Sequence, residues 1–210
     1  MKIVVFGASG KTGSLLVEQA LRAGHEVVAY VRRPGSVTSA NTKLSVVVGS
    51  LSDKVSLKRA ITGADACCLT LGGGSLTKSN PEVLVGIANI VDIMEEVGVL
   101  RLVYLSSIGV GESRFYMPQP IRFLMVQVML RVPLADHSVN EKRIAASSLK
   151  WTVVRPGGLT DGPSTGNLKH GFEKIKLTGN AGISRANVAA FILAQLTDAA
   201  CVNKAVWLRE

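Results

Sequence analysis

Cysteine is scarce in this sequence, which contains only Cys67, Cys68 and Cys201 in 210 residues. Cys67 and Cys68 are adjacent, so they would point to opposite faces of a strand, and they lack the spacing of metal ligands. We therefore expect no metal site and three small buried thiols, as in a protein of the reducing cytoplasm. The chain also enters an apolar run at Lys2 without the features of a secretory signal, which favours a cytoplasmic location.

Long apolar runs and clusters of one charge are also missing. The segment from Met117 to Leu134 is Met-rich, but it is short and is interrupted by Arg122, Gln127 and Arg131, so we predict no transmembrane span. The net charge is +9, yet the basic residues are scattered and only 5% of residues are aromatic, which disfavours nucleic acid as a partner. A positive field that attracts a phosphorylated cofactor and an anionic substrate explains the charge as well.

Prolines at 118, 120 and 133 bracket the Met-rich segment, and we predict an apolar helix between them. Three roles fit this helix: packing in the core, a lid over a substrate, or a surface for contact with a membrane or with a second copy in a homodimer. Core packing is favoured, because most apolar helices are buried. A flexible wall for a flat apolar ligand comes next, since methionine adapts to varied shapes.

The rest of the chain alternates between short apolar runs and amphipathic segments. Strands are predicted at 2–6, 27–31, 44–48, 66–71, 101–106, 151–155 and 205–208, and helices at about 12–23, 53–62, 81–97, 137–148 and 185–197. Continuous apolar strands separated by helices indicate a parallel sheet covered on both faces. We predict an α/β protein, a single-domain Rossmann fold over 1–210 with a doubly wound parallel sheet. Its cofactor half would span about 1–110 and its substrate-side elements about 111–183.

A glycine-rich turn follows the first predicted strand and carries the strongest functional signal. Gly7, Gly10 and Gly13 are spaced for a tight turn, a close approach of the backbone to a pyrophosphate, and close contact between helix and strand. The helix that starts near Thr12 directs its N–H groups and its positive dipole end at that phosphate. Within a strand–helix–strand unit, this turn predicts a dinucleotide site that includes Ser9, Lys11 and Thr12.

The end of the second strand indicates which dinucleotide is bound. The strand ends in Arg32 and Arg33, without the carboxylate that would bond the ribose hydroxyls of NAD and repel a 2′-phosphate. Two guanidinium groups can instead form charge-assisted bonds to a phosphate, assisted by Lys11 and Ser36. We therefore predict NADP(H) as the cofactor.

These motifs resemble a known family. The opening GASGKTGSLLVEQAL, the strand VVAYVRRP, the strand LRLVYLSS and the block WTVVRPGGLT are similar to the atypical short-chain dehydrogenase/reductases, in particular the NmrA-like and NAD(P)H-binding proteins. Asp136-His137, Lys142 and Leu149-Lys150-Trp151 are similar to the biliverdin-IXβ and NADPH-flavin reductase branch. The resemblance covers nearly the whole chain. It implies an adenine-contacting turn at Ser50 and Leu51, a nicotinamide end beside three clusters, and a ribose contact from Lys142. The three clusters are Leu71-Gly72-Gly73, Ser106-Ser107 and Pro156-Gly157-Gly158.

Two departures from the family pattern matter. The Tyr-x-x-x-Lys pair of conventional short-chain dehydrogenases, whose tyrosine protonates a carbonyl, is absent. Ser138 and Lys142 have the right spacing, but a serine hydroxyl is a poor acid. The reductase branch also has a histidine near the position of Gly158, so the acceptor pocket is expected to differ.

Three residues are candidates for chemistry. Ser107 could orient the substrate or relay a proton, or only satisfy backbone groups at a strand end. His137 could act as a proton relay near neutral pH, or Asp136-His137-Ser138 could simply cap the following helix. Lys142 could reach the ribose, or lie on a solvated helix face.

Two functional hypotheses follow. The first is an NADPH-dependent oxidoreductase that transfers hydride to a small, flat, conjugated acceptor of the flavin, quinone or tetrapyrrole type, a reaction that needs little acid–base help. The alternative is a non-catalytic NADP(H)-binding redox sensor or assembly protein of the NmrA-like type. An epimerase or dehydratase acting on a nucleotide sugar is weakened by the missing tyrosine acid.

Overall fold

The computed structural model describes residues 1–72, 75–176 and 182–210. The strands are β1 (Lys2–Phe6), β2 (Glu26–Val31), β3 (Leu44–Val48), β4 (Ala66–Leu69), β5 (Arg101–Leu105), β6 (Lys150–Pro156), β7 (Leu159–Thr160), β8 (Lys169–Gly171), β9 (Ile183–Ser184) and β10 (Lys204–Arg209). The helices are α1 (Lys11–Arg22), α2 (Lys54–Ile61), α3 (Pro81–Val97), α4 (Arg131–Ala145) and α5 (Arg185–Ala194). A 3-10 helix at Gly111–Tyr116 and a π-helix at Phe123–Met129 precede α4.

The main sheet has eight strands in the order β3-β2-β1-β4-β5-β6-β10-β8. Its neighbouring strands are parallel, apart from β8, which runs antiparallel to β10. The chain order reverses at β1, whose neighbours are β2 and β4, and such a switch point opens a crevice at the carboxyl ends of the strands. The predicted Rossmann fold is confirmed. The antiparallel edge strand was not foreseen.

Apolar side chains bury both faces of the sheet. On one face, Val5 packs in a core with Leu16 of α1 and Phe191 of α5. On the other face, Val4 packs in a second core with Ile87 of α3. Each face is therefore covered by helices, as the continuous apolar strands predicted. The two edge strands, β3 and β8, are exceptions, because each exposes part of its surface to solvent.

The cysteines agree with the prediction of buried thiols. Cys67, Cys68 and Cys201 are free and buried. Burial raises the pKa of Cys68 to about 12, so this thiol stays protonated and unreactive near neutral pH.

The favoured prediction of core packing for the Met-rich segment is wrong. None of the π-helix residues Phe123–Met129 is buried. The segment lies on the surface because it precedes α4 without a sheet face to cover it, whereas the strand-connecting helices pack on the sheet. Helix α4 also begins at Arg131 rather than near 137, since Pro133 falls in the first helical turn, where a missing N–H costs nothing.

None of the helices in the described ranges has the length and hydrophobicity needed to cross a bilayer. The same ranges contain no group of three or more His, Cys, Asp or Glu side chains arranged to hold a metal ion.

Candidate functional site

A cleft follows the carboxyl ends of the parallel strands, at the crevice that the strand order predicts. It consists of three adjoining cavities of about 290, 50 and 440 Å³, each of which is lined by Leu71 and Gly72. These two residues follow β4, the strand at the switch point, so they lie at the middle of the cleft. The predicted strand 66–71 ends earlier, at Leu69, which frees Leu71 and Gly72 to line it.

The glycine turn forms the floor of the cleft between β1 and α1. A Cβ on Gly13 would lie 2.1 Å from the carbonyl oxygen of Gly7, and Gly7 has φ +80°, so neither position accepts a side chain. Gly10 is the N-cap of α1 and makes no side-chain cap hydrogen bond, which leaves the first helical N–H groups without a capping side chain. This arrangement fits a pyrophosphate, because a phosphate needs a close backbone and unpaired N–H donors. Around Gly10 the turn contributes Gly7, Ser9, Lys11 and Thr12 to the lining.

Arg32 lies at one end of the cleft, where the adenosine half of a dinucleotide would be placed. Leu51 is buried there, and its carbonyl accepts a hydrogen bond from Asn89 at 3.1 Å. Ser50 is exposed, and its carbonyl accepts a hydrogen bond from Tyr30 Oη at 2.7 Å. Arg33 is exposed and does not line this cavity. One of the two predicted arginines therefore faces the cleft.

A carboxylate that sequence analysis missed lies opposite Arg32. Glu82, in the first turn of α3, lines the same cavity and approaches the Arg32 guanidinium at 3.7 Å. The end of β2 has no acidic residue, as predicted, but α3 brings one to the site from 50 positions along the chain. No local pattern in the sequence could have indicated this contact.

Lys11, in the glycine turn, pairs with a carboxylate that also pairs with an arginine. Its Nζ lies 2.8 Å from Asp161 Oδ2, and Arg185 pairs with the other oxygen of the same carboxylate. The hydrogen bond from Lys11, together with the nearby Arg185, lowers the pKa of Asp161, so this carboxylate is ionised. Lys11 and Arg185 both line the largest of the three cavities.

Some of the residues predicted to lie at the nicotinamide end line one cavity, and others do not. Ser106, Ser107, Pro156 and Gly157 line one cavity with the glycine turn. The Ser107 hydroxyl donates to the carbonyl of Ile108 at 3.1 Å. Gly158 is exposed outside that lining, and its carbonyl accepts from Ile183 N at 2.9 Å. Gly73 lies outside the described residues.

His137 lines the cleft and forms a hydrogen bond with a buried tyrosine. Its Nδ1 lies 2.6 Å from Tyr104 Oη, which also accepts a hydrogen bond from Asn140 Nδ2 at 3.2 Å. An amide nitrogen only donates, so the Tyr104 proton is free to be donated to His137. Burial raises the pKa of Tyr104, which keeps the phenol protonated. With Nδ1 accepting, a neutral His137 carries its proton on Nε2.

Burial lowers the pKa of His137, and this effect outweighs the nearby Glu141 and Asp136, which act in the opposite direction. The neutral imidazole is therefore the stable form near pH 7. Such a histidine offers a hydrogen-bond donor to a ligand in the cleft, and does not carry a readily released proton. The proton relay expected of His137 stays a prediction.

Asp136 has a structural role that differs from the predicted helix cap. Its oxygens accept hydrogen bonds from Ser79 Oγ at 2.7 Å and from Asn80 N at 2.9 Å. Because α4 begins five residues earlier, Asp136 is inside the helix and cannot cap it. It instead fastens the start of α3 to α4, beside the His137 side of the cleft.

An ionic network centred on the buried Arg155 connects to Ser106. The Ser106 hydroxyl donates to Glu141 Oε1 at 2.5 Å, and Arg155 donates to both Glu141 oxygens at 3.1 and 2.6 Å. Arg155 also pairs with Glu112 at 2.5 Å. Only 6% of Arg155 is exposed, so its charge depends on these two carboxylates. Because Arg155 holds the Glu141 carboxylate in place, the Ser106 hydroxyl donates to an acceptor whose position is fixed.

Lys142 is not brought to the cleft. It is exposed on α4 and is not among the residues that line the three cavities. Three residues of this region were not predicted from the sequence: Tyr104, Asn140 and Glu141. One signal existed: Asn140 and Glu141 follow His137 by three and four residues, so on a helix that includes His137 they share its face.

Comparison with known proteins agrees with this architecture. A model of the family described as NAD(P)H-binding matches residues 7–199, so the chain belongs to that family. The uncharacterized sugar epimerase YhfK of Bacillus subtilis is 28% identical over 225 residues, covering 100% of this chain and 94% of the relative.

Two solved structures are similar in fold. ChuY, an anaerobilin reductase from Escherichia coli O157:H7, superimposes with a TM-score of 0.82 at 24% identity, covering 100% of this chain and 97% of that one. A short-chain dehydrogenase/reductase from Veillonella parvula, solved in complex with NADP, has a TM-score of 0.84 at 18% identity, with 100% and 94% covered. The predicted membership of the NAD(P)H-binding family is confirmed.

Proposed function

We propose that this member of the NAD(P)H-binding family is an NADPH-dependent reductase that passes hydride to a flat conjugated acceptor of the flavin, quinone or tetrapyrrole type. The observation that carries the proposal is the single cleft in which the glycine turn and His137 share the lining residues Leu71 and Gly72. A dinucleotide held on the turn would extend toward the hydroxyl and imidazole groups at the other end.

The preference for NADPH rests on the charge at the adenosine end. Arg32 lines that cavity, and no acidic residue ends β2. Arg32 pairs with Glu82 at 3.7 Å, and both side chains are exposed. Such an ion pair is weak in water, so a doubly charged phosphate can displace Glu82 from Arg32. NAD has no 2′-phosphate, so with NAD bound the Arg32 guanidinium would have Glu82 as its anionic partner and no phosphate. We therefore expect Arg32 to bind the 2′-phosphate.

The acceptor class follows from what the chain supplies at the other end. When bound, the nicotinamide would supply the hydride. His137 would donate its Nε2–H to an oxygen or nitrogen of the acceptor that becomes more negative on reduction, and this donor is already oriented by Tyr104. No tyrosine of the sequence has the lysine four residues later that activates the conventional acid, which disfavours simple ketones and favours acceptors whose reduced form is stabilised by conjugation. The name of the similar ChuY, a tetrapyrrole-type reductase, supports the same class.

Binding measurements test the cofactor half of the proposal. We expect NADPH to bind at least about ten-fold more tightly than NADH, and Arg32→Asp to remove that preference. Arg22→Asp makes the same charge change on the exposed end of α1, paired with Glu18, and controls for the loss of net positive charge. Equal affinity for the two cofactors, or an unchanged preference in Arg32→Asp, would refute the assignment.

Turnover measurements test the reductase half. NADPH oxidation is followed with FMN, a quinone and biliverdin in turn. Turnover with at least one of them is expected. Tight NADPH binding without turnover on any acceptor would instead support the alternative, a non-catalytic NADP(H) sensor, which the missing tyrosine acid also allows.

A further inference from the structure

The segment before α4 exposes an unusual concentration of apolar side chains. Six of them lie between residues 115 and 129, with exposures from 45% for Met129 to 57% for Val128: Phe115, Ile121, Phe123, Leu124, Val128 and Met129. We call these six residues the apolar ledge. A folded chain rarely leaves such a cluster in water without a partner.

The two parts of the ledge are adjacent in space. The guanidinium groups of Arg114 and Arg122 lie 4.7 and 5.4 Å from the centre of the Phe115 ring. Arg122 directly precedes the π-helix that carries four of the ledge residues. The Phe115 part and the π-helix part are therefore joined by stacked arginines into one surface.

The charge beside the ledge is mainly positive, because the one carboxylate of the 3-10 helix that carries Phe115, Glu112, is paired with the buried Arg155. From Ser113 to Ala135 the chain contains Arg114, Arg122 and Arg131 and no Asp or Glu. The whole chain, including these arginines, carries a net charge of +9 at pH 7. Exposed Phe, Leu, Val and Met side chains beside arginines match the two components of a surface that binds anionic lipid: apolar groups for the acyl boundary and cations for the headgroups. A second copy of this chain would face the same positive charge, which disfavours a symmetric contact through the ledge.

We propose that the apolar ledge docks on an anionic lipid surface. The chain would lie on one leaflet and not cross it, consistent with the lengths of its described helices. Helix α4, which follows the ledge in the chain, reaches the cleft, because its Pro133 lines the cavity that holds His137 and Tyr104. Docking would thus bring the acceptor end of the cleft close to the membrane surface, where apolar conjugated molecules dissolve.

Co-sedimentation of the full chain with vesicles tests this inference. Binding to phosphatidylglycerol–phosphatidylcholine vesicles is expected to be at least about ten-fold tighter than to phosphatidylcholine alone, and to weaken as salt is added. The double variant Leu124→Glu/Val128→Glu should lose vesicle binding. Val55→Glu/Val85→Glu, which places the same two charges at residues 80% and 55% exposed on α2 and α3, should not.

A second variant separates charge from apolar contact. Arg122→Gln/Arg131→Gln should weaken binding to anionic vesicles and flatten its salt dependence, while leaving the weak binding to neutral vesicles. Thermal unfolding of each variant shows that it is folded. The inference is overturned if wild type does not bind anionic vesicles. It is also overturned if wild type has twice the chain mass by light scattering and Leu124→Glu/Val128→Glu has the single mass. No cofactor or acceptor is present in these assays, so their outcome is independent of the proposed function.

Discussion

The Tyr104 hydroxyl lies 2.6 Å from Nδ1 of His137, although the two residues are 33 positions apart in the sequence. Tyr104 is fully buried at the carboxyl end of β5, whereas His137 is partly exposed on α4 and lines the cleft. The contact therefore joins the rigid sheet to the side chain that faces a ligand. It fixes both the ring orientation and the tautomer of the histidine.

Tyr104→Phe is expected to lower kcat by about ten-fold while leaving the Kd for NADPH unchanged, because the imidazole loses the donor that holds its Nε2–H toward the acceptor. The variant also leaves Asn140 Nδ2 without its partner at Tyr104, which costs about 1–3 kcal/mol of stability. Steady-state kinetics and urea unfolding measure the two effects. Tyr116→Phe, at a buried tyrosine packed with Trp207, is the control and should not change kcat. An unchanged kcat in Tyr104→Phe would remove His137 from the proposed mechanism.

The stability of the protein should depend on pH through His137. Burial holds its folded pKa below the ordinary value of 6.5, so the unfolded chain takes up the proton first as the pH falls. The neutral form of His137 contributes its full share of the unfolding free energy above about pH 6.5. This contribution is lost as the pH falls below that value. Wild type should therefore lose more unfolding free energy between about pH 7.5 and pH 5.5 than His137→Asn does. His170→Asn, at an exposed histidine, serves as the control, and an equal loss in wild type and His137→Asn would contradict the assignment.

Glu82→Gln is expected to raise the affinity for NADPH by about three- to ten-fold, because it frees Arg32 and removes a negative charge from the phosphate side of the cleft. The affinity for NADH should change less. Isothermal titration measures both. Glu96→Gln removes a carboxylate at the far end of the same helix, where it pairs with Lys58, and should leave both affinities unchanged. Weaker NADPH binding in Glu82→Gln would mean that this carboxylate contacts the cofactor's ribose.

Gly13→Ala should disrupt the glycine turn, because the new Cβ would meet the Gly7 carbonyl oxygen at 2.1 Å. The backbone at Gly7 and Gly13 must move apart, at a cost of about 1–3 kcal/mol or more. We expect at least a ten-fold loss of cofactor affinity, which corresponds to about 1.4 kcal/mol of binding free energy. The midpoint of unfolding should also be lower. Gly162→Ala meets its nearest atom only at 3.9 Å and provides the matched control. Normal cofactor binding by Gly13→Ala would contradict the role of the turn.

Much of the fold could be predicted because its signals are local. Each strand, helix and glycine of the first 31 residues follows from neighbours in the sequence, and the alternation of apolar runs and helices specifies the parallel sheet. The exposure of the Met-rich segment could not be predicted, because composition shows that a helix is apolar and not whether a neighbour covers it. The antiparallel pairing of β8 with β10 is similarly a contact between distant segments.

The candidate site was predictable where it depends on backbone turns and not where it depends on side chains from separate elements. The glycine turn and Arg32 face the cleft as expected. Glu82 reaches Arg32 from α3, and Tyr104 reaches His137 from β5, and neither contact has a sequence spacing that reveals it. Lys142 was selected by family resemblance, but its position five residues after His137 turns it away from the face that His137 presents.

Single-turnover oxidation of NADPH bound to the protein, with and without deuterium at the transferred position of the nicotinamide, measures hydride transfer itself. Mixing with a flavin, quinone or tetrapyrrole acceptor should oxidise the bound NADPH and reduce an equal amount of the acceptor, and deuterium should slow this oxidation about two-fold or more. Bound NADPH that stays reduced with every acceptor, at saturating concentrations, would show that the protein is not a reductase of this class.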